Sequence, residues 1–160
     1  MGMIQLPTFR MNGDEQIVPM RYEHLISLQL KKHEIEYQAN IPNYIDYIYE
    51  NSEDGLSWSA IGRGRIIAVF GVRPIWRGLA EAWMVPGVGI EDHAASVVRG
   101  ARALMDTTVS NLDIARLQII VKTENDTAYK FAKSIGFSVE GKLERFGPEG
   151  ADYYMMVRFK

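Results

Sequence analysis

The residues of this 160-residue chain that could do chemistry are carboxylates, hydroxyls and glycines. There is no cysteine, which excludes disulfides, thiolate metal sites and a cysteine nucleophile. His24, His33 and His93 stand apart with no ligand spacing around them, so a zinc site is not expected. Glu81 lies in a segment that reads as a strand, and a carboxylate in a cleft can accept a proton directly or through water. Its other reading is a solvent-facing strand residue, or an ion-pair partner of Arg73 or Arg77. Pro86-Gly87-Val88-Gly89 breaks the chain just before a long helical segment. The free N–H groups at such a helix start suit an anion. Glu91 and Asp92 oppose one there, and acidic first turns are favoured where no anion binds.

Elements must position these residues. Gln16–Arg21 reads as a short extended segment with Val18 and Met20 on one face. Tyr22–Ala39 carries Leu25, Leu28, Leu30 and Ile35 at near-helical spacing, which predicts one helix. Pro42 suits the first position of a second helix, where a missing N–H costs nothing. Tyr44, Ile45, Tyr47, Ile48 and Tyr49 make that helix strongly aromatic as far as Asn51, and Ser52-Glu53-Asp54-Gly55 is a turn. The period then changes. Leu56–Ile61 and Ile66–Arg73 predict a hairpin across Gly62-Arg63-Gly64, and Leu79–Val85 a third strand returning across Pro74–Gly78. Asp92–Asn111 is the longest helix, with Ala94, Ala95, Val97, Val98, Ala101, Leu104 and Met105 as its apolar stripe. Arg116–Val121 reads as a buried strand. Thr123 or Asn125 then caps a helix through Ile135 that Gly136 ends, with no chemistry required. Ser138–Leu143 and Tyr153–Phe159 are closing strands joined by Gly147-Pro148-Glu149-Gly150. The order β-α-α-β-β-β-α-β-α-β-β predicts one α/β domain with a mixed sheet, residues 1–13 being an N-terminal extension.

Composition bounds the function. Apolar residues make up 47% and charged residues 24%, which excludes a largely disordered chain, a collagen-like fibre and a coiled coil. The longest apolar run, Ile66–Val72, is far below the roughly 20 residues of a membrane helix. Met1-Gly2-Met3-Ile4-Gln5 lacks the pattern of a secretory signal, and Leu6 stands where a myristoylation motif needs Ser or Thr. A cytoplasmic protein without membrane attachment is expected. The net charge of −2 argues against a dedicated nucleic-acid binder. Residues 1–54 carry a balance of −5 and residues 55–160 one of +3. That asymmetry reads either as ordinary solvation of helix faces, or as an acidic side meeting a cationic substrate and a basic side meeting an anionic cofactor.

This element order, together with the run Asn125-Asp-Thr-Ala-Tyr-Lys-Phe-Ala-Lys-Ser-Ile-Gly136-Phe137, resembles the GNAT superfamily of acyl-CoA-dependent N-acyltransferases. Asn125, Ala128, Phe131, Gly136 and Phe137 fall where that family's signature expects them, and Glu140-Gly141 is similar to members that acetylate protein N-termini or small amines. The resemblance covers about residues 14–160. It implies that Leu79–Val85 and Arg116–Val121 are parallel strands that splay apart, with the pantetheine of acetyl-CoA in the gap. It places the pyrophosphate on the N-terminus of Asp92–Asn111. Met84, Val85, Gly87, Val88, Gly89, Ile90 and Asn125 are the implied cofactor-binding residues, and Glu81 the implied base. Two positions depart from the pattern. Met84 stands where the family's pyrophosphate loop has Gln or Arg, and Ala132 where a general-acid Tyr is common. Tyr129, three residues away, is the remaining candidate acid. The aromatic helix at 44–49 would cap the substrate side; its other reading is the aromatic edge of a core.

A narrower resemblance covers the departures. Phe70-Gly71-Val72-Arg73-Pro74, Trp83, the short turn into Ile90-Glu-Asp-His93, and the closing Phe146-Gly147-Pro148 with Tyr153-Tyr154 are similar to GNAT-like proteins of tailed bacteriophages, some of them of the internal virion type. Two expectations follow. One is acetyl transfer from acetyl-CoA to a small-molecule or protein amine, with strand backbone N–H groups polarising the thioester. The other is a catalytically degenerate phage protein that binds virion proteins, located in the host cytoplasm or the virion. A homodimer is implied by the wider family.

Overall fold

The computed structural model describes residues 7–160, so Met1–Leu6, read above for signal and lipidation patterns, lie outside the described residues. Its Ile-, Val- and aromatic-rich segments form one seven-stranded sheet. Strands β1 (Gln16–Pro19), β2 (Ser57–Gly62), β3 (Arg65–Trp76) and β4 (Leu79–Pro86) make an antiparallel meander. The β2–β3 turn is tight because Arg63 and Gly64 both take positive φ, at 51° and 71°. Strands β5 (Arg116–Lys122), β6 (Ser138–Leu143) and β7 (Tyr153–Phe159) complete the order β1-β2-β3-β4-β5-β7-β6, and only β4 and β5 run parallel.

Helices α1 (Tyr22–Ser27), α2 (Lys32–Asn40) and α3 (Tyr44–Asn51) lie on one face, and α4 (Ala94–Asn111) and α5 (Asp126–Ser134) on the other. Side chains alternate along each strand, so the faces bury different residues. Ala80, Ala82, Leu117 and Val121 pack with Val97, Ala101 and Leu104 of α4 and Ala132 of α5. Val69 and Val85 pack with Leu25 and Leu28, flanked by Ile45 and Ile48 of α3. The segment before β1 joins the first core through Phe9 and Met11. Glu15 anchors it, accepting from Asn12 N at 2.7 Å and Ser96 Oγ at 2.6 Å and meeting His93 Nδ1 at 2.5 Å.

The expected helix over Tyr22–Ala39 is two helices, making three before β2 instead of two. The chain leaves the helix at Leu28 because Gln29 and Leu30 pair outward: Val88 N donates to Gln29 O at 2.8 Å, and Leu30 bridges Gly87. Pro42 does not open α3; it sits in the turn before Asn43, whose φ of 53° turns the chain into that helix. The expected Asp92 start of the long helix is replaced by a 3-10 turn, Ile90–His93, before α4 begins. Asn125 is the N-cap of α5, its side chain accepting from Ala128 N at 3.1 Å. Among the described residues no helix is long and apolar enough to cross a membrane.

Candidate active site

The parallel ladder between β4 and β5 lasts for three pairs, Leu79–Arg116, Ala80–Leu117 and Glu81–Gln118. Beyond Glu81 and Gln118 the strands part while β4 stays paired to β3 and β5 to β7. The direction of backbone hydrogen bonds alternates along a strand. Gly87 N donates to Ile67 O on β3, so Met84, three residues away, turns its N–H and C=O groups into the gap, and Ala82 its C=O, the Ala82 N–H belonging to the last pair of the ladder with β5. On β5, Thr123 N donates to Asp152 O before β7, so Ile120 turns its N–H and C=O into the same gap and Lys122 its N–H, the Lys122 C=O accepting from Asn125 N at 2.9 Å. Trp83, Met84, Ile119 and Ile120 remain only half-buried although they lie on the two central strands. The result is a wedge with free peptide groups on both walls.

Glu81 stands at the apex, on the α1–α3 face, where its Oε1 accepts from Arg73 at 2.9 Å. Arg73 also donates to Asn51 Oδ1 at the end of α3, at 3.1 Å. The ion pair weighed from the sequence is therefore present, with Arg73 as the partner. Tyr129 lies on the opposite face, its ring 5.7 Å from that of Tyr154 and Lys133 Nζ 5.5 Å from its centroid. The structure does not bring Glu81 and Tyr129 together. Glu140 is also engaged, in a bidentate pair with Arg116 at 2.6 and 2.7 Å.

The glycine-rich turn after β4 is closed on itself. Gly87 N is bonded to Ile67 O, Val88 N to Gln29 O, and Ile90 N to Gly87 O at 3.3 Å. Gly87 is required by close approach, since a Cβ there would stand 2.5 Å from Leu28 Cδ1. Gly89 is required by its φ of +95°. Each acid at the helix start has a cation: Lys31 pairs with Glu91, and Arg63 with Asp92 at 3.5 Å. Arg65 lies beside the turn, its guanidinium 3.1 Å from where a Gly89 Cβ would be. Val85 is buried against Leu25 and Leu28.

A titratable group missed in the sequence is Glu34, in the first turn of α2. It is 7% exposed and its Oε2 accepts from Tyr44 Oη at 2.6 Å. Burial pushes its carboxyl up to about 7, against the opposing hydrogen bond from Tyr44. Burial likewise raises Tyr153, to about 12, with the charges of Glu34 and Glu36 adding to the effect. Read as one helix, 22–39 placed Ile35 on the buried stripe, whereas Ile35 is 53% exposed and Glu34 is inside. The available signal was the series Leu30, Glu34, Tyr37 and Ile41, a helical stripe interrupted by one acid. A separate surface cavity of about 470 Å³ lies between α1, the end of α2 and α3. Tyr44 is part of its wall, but Glu34 does not line it.

No family model matches this sequence, and no curated protein matches it. Solved structures do. An acetyltransferase of the GNAT family from Bacillus anthracis superposes with a TM-score of 0.70 at 13% identity, over 92% of this chain and 95% of that one. Ard1 from Thermoplasma volcanium gives 0.69 at 16% identity, over 91% and 97%. A spermidine N-acetyltransferase chimera from Vibrio cholerae gives 0.65 at 17%, over 92% and 96%. The chain has the GNAT fold. Identities this low carry the fold and not the reaction, which has to be argued from the wedge itself.

Proposed function

We propose that the protein is a GNAT-type N-acyltransferase that moves an acetyl group from acetyl-CoA to a primary amine. The observation that carries this reading is the wedge, whose walls offer the N–H and C=O groups of Met84 and Ile120, the Ala82 C=O and the Lys122 N–H at the centre of the sheet. Such groups fit an extended chain bearing amides, which can bond them as a strand would. Acetyl-CoA supplies a thioester carbonyl with a thiolate leaving group. The Met84 N–H group on β4 would polarise that carbonyl. The attacking amine forms the C–N bond as the C–S bond breaks. Of the two protons an ammonium loses, one ends on the thiolate and the other goes to solvent through a base. Tyr129, on the α5 side, is the candidate donor to the thiolate.

The glycine-rich turn fits a pyrophosphate less well, because the N–H groups of Gly87, Val88 and Ile90 are already bonded. Gly89, Arg65 and the N-terminal end of α5 at Asn125 are the groups left to meet it. That closure favours a second reading, a phage-type binding or virion protein that has kept the fold without catalysis. Isothermal titration calorimetry with acetyl-CoA separates the two. Micromolar binding, with a rise in melting temperature on adding acetyl-CoA, is expected for the acyltransferase. No heat and no thermal shift at millimolar acetyl-CoA would leave the second reading.

A further inference from the structure

Acyl transfer to an ammonium needs a proton acceptor, and the apex carboxylate of Glu81, on the α1–α3 side of the wedge, is already tied to Arg73. Helix α2 lies across the open end of the wedge. The turn before it pairs Leu30 with Gly87, just past the end of β4. Its far half reaches the other wall: Glu36 pairs with Lys122 at the end of β5 at 3.3 Å, and the Tyr37 ring lies 6.2 Å from that of Tyr153 at the start of β7. Between these two anchors, on the buried side of α2, stands Glu34.

The surroundings of Glu34 suit a cationic guest. Among the described residues no Lys, Arg or His side chain pairs with it. Tyr44 holds Oε2, while among the described residues no group donates a hydrogen bond to Oε1. Tyr153 is flanked by the rings of Tyr37 and Phe146, the latter 5.4 Å away. Aromatic faces attract cations, and a carboxylate among them accepts a charge-assisted hydrogen bond.

We infer that Glu34 receives the acceptor's ammonium at the mouth of the wedge and takes its proton, an assignment that rests on the acyl-transfer reading above. The N–H bond breaks, its electron pair stays on nitrogen, and the proton bonds to a Glu34 oxygen. The neutral amine is then the nucleophile, and Glu34 returns the proton to solvent. The titratable groups that meet Glu34 from other elements are Tyr44 on α3 and Tyr153 on β7, with Tyr47 acting on Tyr44; His33, Glu36 and Tyr37 share its own helix, and Lys122 on β5 is paired with Glu36. Burial holds its carboxyl near neutrality, where a base works best.

The test uses the full chain, n-butylamine as the amine probe, and three readouts. In protein carrying 13C-labelled glutamate carboxyls, one resonance should titrate near neutral pH, move to a lower midpoint with butylamine, and be missing in Glu34→Gln. In turnover, Glu34→Gln should lose about 100-fold or more in kcat/KM together with its acidic limb. Its acetyl-CoA affinity by calorimetry should stay within about twofold of wild type. Tyr44→Phe removes a hydrogen bond to the charged form, so it should fold and move the limb to higher pH. A Glu34→Gln rate within roughly threefold of wild type, with the limb intact, would overturn the role of Glu34 alone. So would a limb that disappears in Glu81→Gln instead. A wild type that fails to bind acetyl-CoA overturns the acyl-transfer reading, and the base role with it.

Discussion

Burying a carboxylate without a cation penalises its charged form, and Glu34 carries that penalty into the stability of the protein. Its carboxyl is raised from 4.5 to about 7 on folding. Between those values the folded chain binds a proton that the unfolded chain has lost, so stability falls as pH rises through the window and levels off above it. The fall amounts to about 3 kcal/mol at 1.36 kcal/mol per pH unit. Urea denaturation at pH 5, 6 and 8 should show it, and Glu34→Gln should flatten the profile and gain stability at pH 8. Glu15 has the opposite sign: the Ser96 hydroxyl, helped by His93 and Asn12, holds its carboxyl below the usual range. Its contribution is present above the ordinary carboxylate value and is lost as pH falls through the lowered one.

At the scale of elements, α5 depends on a single side-chain cap. Asn125 Oδ1 accepts from Ala128 N, and among the described residues no other side chain caps that end. Asn125→Ala should cost about 1 kcal/mol in chemical denaturation. Any additional loss of acetyl-CoA binding then reports on a cofactor contact beyond the cap. The strands, α4 and α5 were legible in the sequence because their apolar periods are regular and glycines or caps mark their ends. The break at Leu28–Lys31 was not, since those residues include no glycine or proline and the helix is interrupted by pairing with Gly87 and Val88, almost sixty residues away. The site was partly legible for the same reason. The wedge follows from strand order, but the inward turn of Glu34 depends on where α2 begins, and that is set by the distant pairing.

At the scale of the molecule, the β1–β4 and β5–β7 halves of the sheet share only three residue pairs. Helices and turns spanning the joint hold the rest. Gly87→Ala tests one of these, because its Cβ would meet Leu28 Cδ1 at 2.5 Å and Ile67 O at 3.1 Å, pushing the α1–α2 turn off the end of β4. A loss of about 1–3 kcal/mol in urea denaturation is expected from such overpacking. The short joint also bears on the order of folding. The β2–β3–β4 meander closes through turns of a few residues, whereas the Lys122–Glu36 contact joins positions 86 residues apart. Loop-closure entropy makes such distant contacts slow to form. On the ribosome every residue of β1–β4 is synthesised before Arg116, the first residue of the other half. The cleft that would hold the reaction is thus the last part of the architecture to be assembled.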